Sequence, residues 1–167
     1  VSDSGIELVM AAFGKKIENK MTLDDKSLSK VVSFLMTVPN GVQAMSMSVP
    51  GLVETSLNMG VMKLTEEGLS TQYAVRSSVT TRKYHVVNQL ISLAQSLGGR
   101  VDCKGEYPAW EYKQESVVRD RVVALYKELY GKEPVMEGIH AGLECGLLAD
   151  KIANLDCVSM GPNILDI

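Results

Sequence analysis

Histidine is scarce in this chain. His85 and His140 are the two present, too few for a self-contained catalytic zinc site of the usual His-rich kind. Cysteine is sparse and scattered. Cys103, Cys145 and Cys157 give neither a disulfide framework nor zinc-finger spacing. Free thiols fit a reducing compartment, which points to the cytoplasm. No long basic run is present and the net charge is -3, so nucleic acid is not expected as a partner. No apolar stretch is long enough to span a bilayer and no signal-peptide pattern opens the sequence, so no membrane partner is expected either.

What is there is an ordinary globular composition over 167 residues, enough for one domain or two small ones. The sequence starts at Val1 and stops at Ile167, just after an apolar run and a Gly161-Pro162 turn. Both ends read as cut, and the expectation is a piece of a larger protein.

The densest chemistry lies in His140-Ala141-Gly142-Leu143-Glu144-Cys145-Gly146. An apolar run precedes it and a helical pattern follows. A strand that ends in a glycine turn and feeds a helix is where α/β proteins place ligands. Glycine lets the backbone approach a ligand, and a helix start offers free N–H groups to negative charge. The plain alternative is a tight strand-to-helix turn with a buried histidine.

Taken in order, Ile6 to Phe13 reads as a strand or a short helix. Thr22, with Asp25 three residues on, resembles a capping box, and Leu28, Val31, Val32, Leu35 and Met36 fall at helical spacing. Pro39-Asn40-Gly41 ends that helix. Val42 to Val49 alternates weakly, and its methionines suit core filling better than a cofactor box. Leu52 to Leu64 and Leu69 to Ser78 read as paired strands around a Glu66-Glu67-Gly68 loop. On the second, Tyr73 and Val75 share one face, and Gln72, Ala74 and Arg76 the other.

Thr80 or Thr81 is expected to cap a helix running to Leu97. Its buried stripe would be Val87, Leu90, Ile91, Ala94 and Leu97, closed by Gly98-Gly99. Arg100 to Tyr107 reads as a further strand. The order β, β, α, β suggests half or more of a ferredoxin-like α/β sandwich. A second unit follows from near Trp110: a helix over 115–130 stopped by Gly131, a strand over 135–139, a helix over 143–152 and a strand over 155–160. That alternation predicts a partial parallel α/β sheet.

Several motifs in series resemble one known family. They are Pro39-Asn40-Gly41-Val42, Val53-Glu54-Thr55-Ser56-Leu57-Asn58, Arg76-Ser77-Ser78, Tyr107-Pro108-x-Trp110, the stretch from His140 to Leu147, and Ser159-Met160-Gly161-Pro162. Their order is that of bacterial aminoacyl-histidine (Xaa-His) dipeptidases, over roughly residues 35–167. The resemblance implies an α/β protein in two parts. Residues 1–110 resemble a portion of a ferredoxin-like lid that also forms a homodimer, and residues 111–167 part of a catalytic α/β domain. It implies hydrolysis of small dipeptides with two divalent metal ions, zinc by the family's habit. The metal ligands and the general base would lie outside this sequence, so the piece alone is expected to be inactive. In the whole protein the metals would activate water and polarise the peptide carbonyl.

The substrate-holding half would remain here. Arg76 matches a lid arginine, suited to the free carboxylate of a dipeptide because its two N–H donors meet two oxygens. Gly142 matches a backbone contact in the active site, and His140 and Glu144 flank it. Each has a plainer account. Arg76 would be a solvated strand residue, His140 a satisfied core histidine, and Glu144 a carboxylate favoured at a helix start. His85 reads as surface. Two other functions compete: a non-catalytic ferredoxin-like dimerisation or regulatory module, and a cysteine hydrolase using Cys145 and His140.

Overall fold

The computed structural model describes residues 23–65, 67–140 and 143–161. The segment Ile6 to Phe13, Thr22, Glu66, Gly142 and Pro162 lie outside the described residues. Helix α1 spans Asp25–Thr37. Asp24 stands at its start as a cap. Asp24 Oδ1 accepts from the Lys26 and Ser27 N–H groups at 3.0 Å each, and Oδ2 from the Ser27 hydroxyl at 2.7 Å. These donors hold the Asp24 carboxyl below its ordinary range, the Ser27 hydroxyl contributing most. By contacts the chain divides within this helix, Ser33 closing one unit and Phe34 opening the next.

The unit from Phe34 carries one antiparallel sheet in the order β1 (Gly41–Met45), β2 (Val53–Thr65), β3 (Gly68–Ser77). Gly41 enters it at φ +81°, a conformation that suits glycine. The Asn40 side chain accepts from Met59 N–H at 3.0 Å, pinning β1's start to β2. β2 and β3 pair almost as the alternation predicts, with Leu57 opposite Val75, Ser56 opposite Arg76, and one irregularity at Met59/Val61.

Helix α2, Thr80–Ser96, covers one face of this sheet. Leu57, Val86 and Leu90 form the buried core, with Val38, Tyr73 and Val75 packed against it. The stripe is rotated from the expected one: Val86 is buried where Val87 is half-buried. Val86 and Leu90 are four apart and so stack over the same strip of sheet. Inside the core the opposed Thr55 and Ser77 hydroxyls lie 2.9 Å apart. Neither Thr80 nor Thr81 caps α2. The cap position is Val79, which makes no side-chain cap bond, and Glu111 Oε1 accepts from Thr80 N–H at 3.0 Å instead.

Three expected strands are not formed. Residues 100–107 run along α2, where Lys83 Nζ donates to Glu106 Oε1 at 3.2 Å and to the Tyr107 carbonyl at 2.8 Å. Residues 135–139 and 155–160 carry no ladder. A strand exists by pairing, and neither segment pairs with an edge of the three-stranded sheet. Val135, Met136 and Met160 stand 85%, 65% and 73% exposed, whereas residues 155–158 are half-buried without a ladder. The chain keeps its α/β class, with a small antiparallel sheet and helices. The fourth ferredoxin-like strand and the parallel sheet are absent from the described residues.

Helices α3 (Val117–Tyr130) and α4 (Glu144–Lys151) form close to expectation. Ser116 caps α3: its hydroxyl accepts from Arg119 N–H at 3.1 Å and donates to Asp156 Oδ1 at 2.6 Å. Asp156 Oδ2 accepts from Val118 N–H at 3.0 Å. Gly131, at φ 65°, closes α3 with its N–H donating to the Lys127 carbonyl.

Candidate functional site

Alternation along β2 and β3 sorts their side chains. Leu57, Tyr73 and Val75 pack toward α2, which leaves Ser56, Asn58, Ala74 and Arg76 on the other face. Ser56 and Arg76 are directly opposite in the ladder, a register that brings Cβ atoms to about 5 Å. Arg76 is exposed, and among the described residues no carboxylate stands within ion-pair distance of it. A guanidinium in this state keeps its full fork of donors for an incoming carboxylate.

His140 reaches the same face from the far end of the sequence. Its segment passes close over the start of β2. A Cβ on Gly138 would sit 2.5 Å from Leu52 Cδ2, so the segment lies directly against the Leu52 side chain. His140 is half-buried, and its Nε2 lies 3.1 Å from Ser56 Oγ across 84 positions of sequence. Two residues singled out from sequence, Arg76 and His140, are thus linked through a third that sequence reasoning passed over. The signal for Ser56 was available. It is a polar residue between core positions Thr55 and Leu57, and the short hairpin sets it opposite Arg76.

The rest of the glycine stretch divides. Gly142 lies outside the described residues. Glu144 is exposed in the first turn of α4, where the helix dipole favours a carboxylate. Gly146 is buried for packing: a Cβ there would meet the Pro108 carbonyl oxygen at 3.2 Å and Trp110 Cβ at 3.4 Å. Burial, then the hydrogen bond with Cys157, pushes the Cys145 thiol up from its ordinary range. That favours the protonated thiol and not a nucleophilic thiolate. With His140 Nε2 turned to Ser56, no Cys–His pair forms between these residues among the described contacts.

Among the described residues no group of three or more His, Cys, Asp or Glu side chains is placed to hold a metal ion. A cleft of about 130 Å³ lies on the α2 side of the sheet, between Gln43, Arg82, His85 and Gln89. It includes none of Arg76, His140 or Glu144.

A small antiparallel sheet under one helix, followed by helices α3 and α4, is an arrangement found in dipeptidases, hydrolases acting on peptide bonds. In particular, the chain is 38% identical over 146 residues to the cytosol non-specific dipeptidase of Escherichia coli (strain K12), covering 87% of this chain and 30% of that protein. The crystal structure of aminoacylhistidine dipeptidase from Vibrio alginolyticus matches it with a TM-score of 0.79 at 31% identity, over 96% of this chain and 35% of that one. No family model matches. The chain spans about a third of the length of these relatives.

Proposed function

We propose that this chain is the substrate-holding part of a metal-dependent dipeptidase, with the metals held by other segments of the whole protein. The observation that carries the reading is the open guanidinium of Arg76, set across the ladder from Ser56, which holds His140. Residues 1–110 are assigned to the lid and 111–167 to part of the catalytic domain. On that division the Ser56–His140 bond joins the two, and lid closure sets Arg76 over the substrate and excludes water.

Arg76 takes the free carboxylate of a dipeptide through a forked pair of charge-assisted bonds. Gly142 is assigned a main-chain contact with the substrate, on its motif match alone. Glu144, in the first turn of α4, is assigned a flanking substrate contact. The substrate class is small dipeptides. Aminoacyl-histidine preference follows the motif series and the Vibrio relative, whereas the Escherichia coli relative is named non-specific. Homodimerisation through the lid is part of the same reading. So is a cytoplasmic setting, supported by that relative's cytosolic name.

The test is hydrolysis of an aminoacyl-histidine dipeptide by the whole polypeptide and by these 167 residues alone. Expected are turnover by the whole protein that a chelator abolishes, and none by the shorter chain. Turnover insensitive to chelation, or equal rates from both, contradicts the proposal. A whole protein that cleaves no dipeptide would favour the non-catalytic dimerisation module.

A further inference from the structure

We propose that Ser56 is a positioning residue that fixes the tautomer and tilt of the His140 ring for substrate contact. The inference rests on the reading above, that this face of the sheet binds the substrate. β2 is the central strand, and Ser56 is paired on both sides, to Val42 of β1 and to Arg76 of β3. Its hydroxyl therefore projects from the best-held backbone in the sheet. His140 comes from a segment with no ladder of its own, in which Gly138 lies against Leu52 just before β2. A 3.1 Å bond between Ser56 Oγ and His140 Nε2 makes the fixed element hold the unpaired one.

The chemistry follows from the ring. A neutral imidazole has one N–H and one bare nitrogen, and the partner at one nitrogen decides which is which. A serine hydroxyl donating to Nε2 puts the ring proton on Nδ1. His140 then offers an N–H donor on the face of the sheet that carries Arg76, the ladder partner of Ser56. Two donors of this kind suit an oxygen-rich group such as the carboxylate end of a dipeptide. A hydroxyl accepting from Nε2–H would leave Nδ1 bare and unsuited to that role.

The chain has two histidines, so nitrogen-15 NMR of the imidazoles is direct, with the exposed His85 as internal reference. Expected is an Nδ1–H tautomer for His140 in the native chain and in Ser56→Thr, which keeps the hydroxyl and suits a strand. Ser56→Ala should bring His140 to the tautomer mixture of His85. A proton found on Nε2, or a His140 signal unmoved by Ser56→Ala while Ser56→Thr is folded, overturns the proposal. In the whole protein, Ser56→Ala should lower kcat/KM about tenfold, with Ser56→Thr restoring it. Adding Ser56→Ala to His140→Ala should cost nothing further, because Ser56 acts through the ring. Additive losses would mean a merely structural role and would also overturn it. If the whole protein cleaves no dipeptide while the tautomer changes occur as stated, the functional reading fails and control of the ring by Ser56 stands.

Discussion

At the scale of single residues, a few polar side chains decide where segments begin and what they are tied to. Ser116 and Asp156 are the clearest case. Ser116 is 6% exposed, and its hydroxyl both caps α3 and donates to Asp156. Ser116→Ala should destabilise the folded chain by about 1 kcal/mol, the usual size of a lost N-cap, measured by denaturant unfolding. The Ser116 hydroxyl, followed by the Val118 N–H, holds the Asp156 carboxyl below its ordinary value of 3.8. The unfolded chain therefore binds this proton more readily than the folded one. The stabilisation is in place above the ordinary value and is lost as pH falls through the folded one. Helix content followed by circular dichroism should decline over that acid range, and Asp156→Asn should remove this component of the decline. An acid transition identical in the variant would show that Asp156 does not contribute.

At the scale of elements, the parts legible in the sequence are those fixed locally. The β2–β3 hairpin follows from alternation around a short polar loop. Helix α3 follows from its apolar spacing and from Gly131, whose positive φ ends it as glycine allows. The stripe of α2 was legible to within one position. What was not legible depends on distant partners. The runs at 100–107, 135–139 and 155–160 have strand-like composition but no ladder, because pairing is supplied by neighbours and not by propensity. Asp156 illustrates the cost of reading such a run alone: it was assigned to a strand and instead caps a helix 38 residues earlier. At the site, Arg76 was found through its motif, whereas Ser56 needed the register. Amide hydrogen exchange tests this division. Residues 135–139 and 155–160 should exchange quickly in this chain and β2 slowly. In the whole protein both runs should become protected, if further strands pair with them. Equal protection of the two runs in both would mean that no further sheet covers them.

At the scale of the whole molecule, the chain is about a third of its dipeptidase relatives, and its surface is consistent with that share. Val117, Leu129 and Val135 stand 78%, 67% and 85% exposed. In the function proposed above, this piece grips the small peptide. The most direct measurement is steady-state kinetics of the whole protein with Arg76→Ala on a dipeptide substrate. Loss of a charged hydrogen bond to the substrate carboxylate should raise KM, or lower kcat/KM, by at least about tenfold. The effect should shrink on a dipeptide amide that lacks the carboxylate. Unchanged kcat/KM in the variant would contradict the account and return Arg76 to an ordinary solvated strand residue.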